Sequence, residues 1–500
     1  MTKKIKDNIV YIVIFSFFLL FNFSVVYWNI KEKHSHFPSG KKYLFFLALS
    51  IILPIVIALF NNHIKKIENK YLFLVIILGS LFLIGLPINA VPDEGAHVYR
   101  AYEISEGHLT SHIYKSKVVG RKLPKSFDKI LSVKRYKDIA KALKVTAKTK
   151  RVETLFDTSA LYSFVCYIPQ VLGIVIARLF TQSVVIQLYC GRIFNFIVFT
   201  LLMYYSIKII PIKKNVLLLI GLLPITIQEA ISLSPDALTI ASSIALFSYI
   251  LYLRETKNKL LTKKQYINLA LLCVVISQCK IVYVPLVLLL FLLPDKKFKT
   301  KKHKYISLLI ITLVVIALNI FWLSIASTYL EVSKSGKSSQ QVMFILHNIF
   351  KYILICMNTI NETFNVCLYQ LFGKHLAWFN IIVPDIYIII NIIFFAILSI
   401  SGIEDKKFDI DKISRYIMIF LFISTAGLVL TSLYVQWTPY KEEVIGGIQG
   451  RYFIPIIMLV PFIIFNKKLK INKIIDYKYI SLFIILQNIC AFLLMIIYYI

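Results

Sequence analysis

The stretch KYISLLIITLVVIALNIFWLSIAS, residues 304–327, carries no charge after its first residue. An α-helix rises about 1.5 Å per residue, so roughly 20 apolar residues cross the hydrocarbon of a bilayer. Inside lipid, each backbone N–H and C=O must find its partner within the segment or in a closed barrel. The run is continuous rather than alternating, which argues against the period-two strands of a barrel. Residues 304–327 therefore read as a spanning helix, and Asn8–Trp28 and Ile480–Ile500 read the same way.

The rest of the chain resembles these runs. Of its 500 residues, 58% are apolar, and the mean hydropathy is +0.75. A soluble protein of this length could not hide so much apolar surface. The expected fold class is an all-α polytopic membrane protein. The first run reads as a retained helix rather than a signal peptide, because no small-residue cleavage site follows at Tyr27-Trp28-Asn29. Heavy use of Ile, Lys, Asn, Phe and Tyr suggests an AT-rich bacterial genome, and hence a bacterial cell membrane.

The formal net charge is +32. Lysines and arginines in short loops hold those loops in the cytosol, and anionic lipid headgroups are a second use for them. Nucleic acid is not an expected partner, because the cations sit between spans rather than in one basic domain. The seven cysteines form no metal-ligand pattern, and a Cys356–Cys367 disulfide is disfavoured.

The charge rule orients the spans. Lys3, Lys4 and Lys6 place the N-terminus in the cytosol, and Lys65, Lys66 and Lys70 place the second turn there too. The basic turn Lys31–Lys42 runs against this scheme. An N-terminal helix hairpin (residues 1–70) then leads into a transmembrane domain (71–500). Residues 92–180 form a large extracytoplasmic loop, with amphipathic helices expected on the membrane surface. Within it, Ser159–Phe180 contains Pro169, Gln170 and Arg178 and is read as interfacial or re-entrant. Further spans are expected at 215–229, 265–279, 283–294, 381–400 and 452–466, with residues 328–380 interfacial, for about thirteen spans in all. There is no internal repeat.

Ionisable groups at a membrane boundary are costly and are functional hypotheses by default. Pro92 suits a helix start, with Asp93 and Glu94 in the first turn and His97 and Arg100 one turn on. This set reads either as a capped interfacial helix, or as a general base or the ligands of a divalent cation (Asp93, Glu94, His97). Ser234-Pro235-Asp236 reads as a capped helix start or as a second carboxylate facing the first. Gln449-Gly450-Arg451-Tyr452 brings a planar guanidinium suited to phosphate. Arg192 and Lys280 read as snorkelling cations or as substrate contacts. Carboxylates and cations sharing one end of a helical bundle suit a phosphate leaving group presented from the membrane.

The stretch from Val91 to Tyr102, continuing to Leu109, resembles the opening motif of a bacterial membrane family catalogued as domain of unknown function 2142. Ser234–Leu238, Gly373–Trp378 and Gln449–Pro455 resemble its later motifs, so the resemblance covers roughly residues 70–500. That family is similar in layout to C-type (GT-C) glycosyltransferases. The resemblance implies a catalytic or metal-binding role for Asp93 or Glu94, and places Asp236 and Arg451 in the cavity. It also implies a polyprenyl-phosphate-linked sugar donor and a cell-surface glycopolymer acceptor. A transporter or flippase, or a non-catalytic assembly component, is the rival expectation.

Overall fold

A computed structural model describes residues 3–32, 40–132, 135–256, 260–334, 337–400, 410–464 and 477–500. Numbering only the elements used below, the chain opens with helices α1 (Lys3–Glu32), α2 (Gly40–His63), α3 (Ile67–Gly85) and α4 (Glu94–Ser105). Strands β1 (His112–Ile113), β2 (Val119–Pro124) and β3 (Arg151–Leu155) follow. Then come α5 (Ile168–Arg178), α6 (Val184–Ile209), α7 (Lys214–Gly221), α8 (Pro224–Ala230), α9 (Asp236–Glu255) and α10 (Lys263–Cys279). The last third holds α11 (Lys301–Lys334), α12 (Lys337–His347), α13 (Ile349–Leu371), strands β4 (His375–Leu376) and β5 (Ile381–Ile382), α14 (Asp385–Ile400), α15 (Lys412–Gln436) and α16 (Tyr477–Tyr499).

Among the described residues, eight helices are long and apolar enough to cross a membrane, or nine if α12 and α13 form one span bent by 104°. The chain is a multi-pass, predominantly α-helical membrane protein. Among the described residues the expected thirteen is not reached: α10 and α14, at the expected spans 265–279 and 381–400, are unbroken but 17 and 16 residues long, and the other three missing spans have a local cause. Pro224 separates α7 from α8, Pro285 lies in a 3-10 segment (Ile281–Leu292), and Pro455 and Pro461 break residues 450–463 into short turns. A proline lacks the N–H that would continue a helix, so an apolar run need not be one helix. Ser159–Phe180 forms a short apolar helix, Phe164–Arg178. Residues 33–39, 401–409 and 465–476, parts of the turns on which the charge argument rests, lie outside the described residues.

Burial sorts the spans. The apolar window of α16 is 94% buried and that of α9 is 89%, whereas the windows of α1, α11 and α15 are 17–28% buried. Helices α9 and α16 are therefore the centre, and the others turn apolar faces outward to lipid. Amide side chains tie helices inside this apolar body. Asn22 donates to the Leu486 carbonyl (2.9 Å) and accepts from Tyr387 Oη (2.6 Å), joining α1, α14 and α16. Where α5 meets α6, a Cβ on Gly173 would lie 2.4 Å from the Cys190 carbonyl oxygen, so only glycine allows the approach.

The large loop departs from expectation. In place of surface helices alone it folds into a three-stranded antiparallel sheet, β1-β2-β3, flanked by the short helices Phe127–Leu131 and Tyr136–Ala142. Val119 and Leu123 of β2 face a small second core with Phe127 and Phe156. The pairing is non-local, with Lys122 opposite Glu153, so helical periodicity among the intervening lysines is a poor guide to it. All seven cysteines are free.

Candidate functional site

The acidic pair splits at the elbow between α3 and α4. Asp93 is left-handed (φ +65°), a conformation that aspartate tolerates better than most residues. That twist sends the two neighbouring side chains in different directions. Glu94 points inward and is fully buried. Its Oε1 accepts from Arg192 Nε (2.7 Å) and the Leu233 N–H (3.0 Å), and its Oε2 from Arg192 Nη2 (2.6 Å) and the Asn89 N–H (2.8 Å). Arg192 also donates to the carbonyls of Leu86 (2.6 Å) and Pro87 (2.8 Å). A bidentate pair with every oxygen occupied is a tether between α4 and α6. Neither Glu94 nor Arg192 faces the cavity described below, so Arg192 is neither a snorkelling cation nor placed as a substrate contact.

Arg100 is also turned away. It is buried against Glu103 (2.5 Å) and donates to the Leu109 carbonyl (2.8 Å). Arg121 reaches Glu103 from β2 (2.9 Å). These charges pin the sheet to α4, and Arg100 takes no part in the site.

Asp93 turns toward the other half of the bundle, where its carboxylate accepts from Arg451. Arg451 follows Gly450, and a Cβ on Gly450 would lie 2.3 Å from backbone atoms of α13, the Cys367 oxygen and the Leu371 nitrogen. Glycine thus lets the 3-10 turn Gly450–Phe453 sit directly on α13. The Arg451 guanidinium meets the Pro92 carbonyl (3.2 Å), Glu229 (3.4 Å) and Asp236 (3.7 Å). Asp236, at the first turn of α9, in turn pairs with Lys280. The Lys280 ammonium lies over the rings of Tyr452 (5.0 Å) and Tyr162 (5.7 Å), a cation–π arrangement. Gln449 lines the same cavity as Asp93 and Tyr452.

His97 sits beneath this cluster. Its Nδ1 is 2.6 Å from Tyr167 Oη. Burial pushes the imidazole pKa down to about 4, against the opposing pull of the Asp93 and Asp236 carboxylates. Burial also pushes the Tyr162 phenol up to about 12, with the Lys280 charge opposing it. Asp93, Glu94 and His97 therefore do not converge as ligands. Among the described residues, no group of three or more His, Cys, Asp and Glu side chains is placed to hold a metal ion.

Glu229 escapes the sequence reading. It is fully buried behind Arg451, beside Gln228, whose side chain accepts from the Ala377 N–H (2.6 Å). A lone acid inside the apolar run Leu217–Ile231 is the signal that marks it. Trp378 then donates to the Asn89 carbonyl (2.8 Å), closing the Gly373–Trp378 segment over the start of the Pro92 turn. All four motif segments meet here.

A cavity of about 10 Å³ lies against Glu229 and Arg451, and three larger ones follow one another outward from Asp93. The first, about 160 Å³, is lined by Asp93, His97, Tyr162, Trp437, Gln449 and Tyr452. It shares Tyr162, Leu433 and Tyr452 with a second of about 230 Å³, which contains Lys280. The second shares Ile281, Asn319 and Leu323 with a third, a groove of about 630 Å³ between Ile281–Leu292, α11 and α15 whose walls are mostly apolar. A carboxylate, the Lys280 ammonium and an apolar groove thus lie in sequence along one path, with Arg451 paired to the carboxylate from behind.

No curated protein and no solved structure matches the chain. Over residues 73–460 it matches the family described as "Predicted membrane protein (DUF2142)", and the chain belongs to that family.

Proposed function

We propose that the chain is a GT-C-like membrane glycosyltransferase of the bacterial cell membrane. It moves a sugar from a polyprenyl-phosphate carrier to a cell-surface glycopolymer on the extracytoplasmic face. The observation that carries this reading is the run of adjoining cavities from Asp93, which Arg451 holds from behind, past Lys280, into the apolar groove beside α11 and α15. A lipid-linked phosphosugar has the same order of parts: a reacting sugar, an anionic phosphate and an apolar tail.

In this reading the tail lies in the groove and the phosphate near Lys280 and Arg451. The acceptor hydroxyl approaches the anomeric carbon from the Asp93 side. Asp93 takes the hydroxyl proton as the new C–O bond forms and the bond from the anomeric carbon to the phosphate oxygen breaks. The electron pair leaves with the polyprenyl phosphate, whose added charge Arg451 and Lys280 stabilise. Asp236 and Glu229 hold the two cations in place. Burial keeps His97 neutral at pH 7, so it adds no competing cation beside Asp93.

The test is sugar transfer in membranes supplied with labelled polyprenyl-phosphate sugar. Asp93→Asn is expected to lower transfer by roughly 10²–10⁴-fold, the usual contribution of a positioned base. Undiminished transfer by this variant and by Arg451→Gln would sink the reading.

A further inference from the structure

We infer that the sheet module of residues 112–155 docks a polyanionic polymer, a chain of repeated phosphodiester groups, and presents it to the mouth of the Asp93 cavity. Lys122, Lys125, Lys129, Lys144, Lys148 and Lys150 are all exposed, whereas the exposed acids of the module are Asp128 and Glu153. Arg121 and Arg151 are consumed in holding it together, through Glu103 and Glu106. Among the described residues, none of the six lysines is in an ion pair.

The fold gathers these lysines. The Lys125 N–H donates to the Lys150 carbonyl (2.9 Å), and β2 and β3 run antiparallel with Pro124 opposite Arg151. Lys122, Lys125 and Lys150 therefore stand on adjoining strand ends, with Lys148 two residues before. From there β3 leads to Asp157 and Thr158, which line the Asp93 cavity. At about 3.3 Å per residue, the lysine cluster lies roughly 20 Å along the chain from that mouth, a distance that a polymer bridges and a small anion does not.

A lipid surface is the other anionic partner such lysines could meet. The apolar side chains disfavour it. Exposed large apolar residues in the module are scattered, at Ile113, Leu143 and Leu155. On α13, by contrast, Phe350, Leu354, Met357 and Phe364 are exposed on a single helix, the signature of an element that enters lipid. A folded module whose exposed lysines outnumber its three scattered exposed apolar residues is suited to a hydrated polyanion, whose binding releases counterions and weakens with salt.

The inference rests on the transferase reading for its purpose, although its readout does not require transfer. The full chain in phosphatidylcholine nanodiscs is titrated with soluble poly(glycerol phosphate), with dextran of similar length as the neutral control. The expected result is salt-dependent binding of the first and none of the second. The variant Lys122→Gln/Lys125→Gln/Lys148→Gln/Lys150→Gln is expected to bind at least about tenfold more weakly, and the matching Lys→Arg variant to retain binding. Equal binding by the Gln variant and the parent would overturn the inference. So would binding to phosphatidylglycerol vesicles with none to the polymer. If the polymer binds and no sugar is transferred to it, the transferase reading fails and the docking surface stands. If the polymer does not bind and sugar still reaches a short neutral acceptor, the reverse holds.

Discussion

Arg192 grips Glu94 across two helices, with Nε to Oε1 at 2.7 Å and Nη2 to Oε2 at 2.6 Å, and both side chains are fully buried. Removing one partner leaves the other charge buried and uncompensated, which costs about 3–5 kcal/mol. Glu94→Gln is therefore expected to lower the melting temperature in detergent markedly. Asp93→Asn, at a side chain 46% exposed, is expected to leave it nearly unchanged. The apolar double variant Glu94→Leu/Arg192→Met removes both charges but strips partners from the Asn89 and Leu233 N–H groups and the Leu86 and Pro87 carbonyls, so it is expected to stay well below the parent. Equal melting temperatures for Glu94→Gln and Asp93→Asn would contradict the division between a structural and a cavity-facing acid.

Gly450 makes a second, independent test. A methyl there meets backbone, which cannot rotate away, so the Gly450–Phe453 turn must lift from α13 and carry Arg451 with it. Gly450→Ala is expected to destabilise by roughly 1–3 kcal/mol, as overpacking does, and to impair sugar transfer. Gly427→Ala, where no heavy atom lies within 4 Å of the added carbon, is the control and is expected to be neutral or better. Chemical denaturation of the two variants side by side checks both.

His97 gives the pH dependence a sign. Its imidazole is held at about 4 in the folded chain, below its ordinary value of 6.5. Above pH 6.5 it is neutral in both states and contributes no pH dependence. Between 6.5 and about 4 the unfolded chain takes up a proton that the folded chain refuses, so stability falls as pH falls through that window. Melting curves from pH 7 to 4 are expected to show this decline, and His97→Gln is expected to reduce it. An identical pH slope in the variant would assign the effect to other groups.

The apolar groove can be closed without touching the polar cluster. Leu428 of α15 lines the groove and neither the Lys280 nor the Asp93 cavity. Leu428→Trp is expected to cut transfer from a long-chain polyprenyl-phosphate sugar by about tenfold, because a filled groove no longer buries the apolar surface of the tail. Transfer from a short-chain analogue should change little. An equal decrease for both donors would mean that the groove does not hold the tail.

Labelling of single cysteines in a cysteine-free background addresses the direction of the bundle. Lys125→Cys is expected to react with an impermeant maleimide added outside intact cells, and Lys208→Cys only after permeabilisation. The opposite pattern would place the Asp93 cavity in the cytosol and remove the extracytoplasmic acceptor.

Much of this architecture is legible before any tertiary structure. Residues 304–327 form a helix because no other arrangement satisfies their backbone in lipid, and that argument needs no neighbour. The same local logic finds the helix starts after Pro92 and at Asp236. It overcounts where prolines interrupt an apolar run, as at Pro224 and Pro455, because hydropathy measures solubility in lipid and not continuity of the hydrogen-bond ladder.

Hydropathy along the chain is enough to assign the membrane as solvent for the long apolar runs, and to mark the polar ends on which chemistry could sit, but not to count the spans. Which polar groups meet is settled only by the folded bundle. Asp93 and Glu94 are adjacent and chemically alike, and only the left-handed turn at Asp93 and an arginine 98 residues further along the chain send one to the cavity and the other to the core. Glu229 and Lys280 join the site through contacts between helices, and β2 finds β3 across a loop. Such pairings depend on distances between segments, which no local pattern of hydropathy or charge encodes.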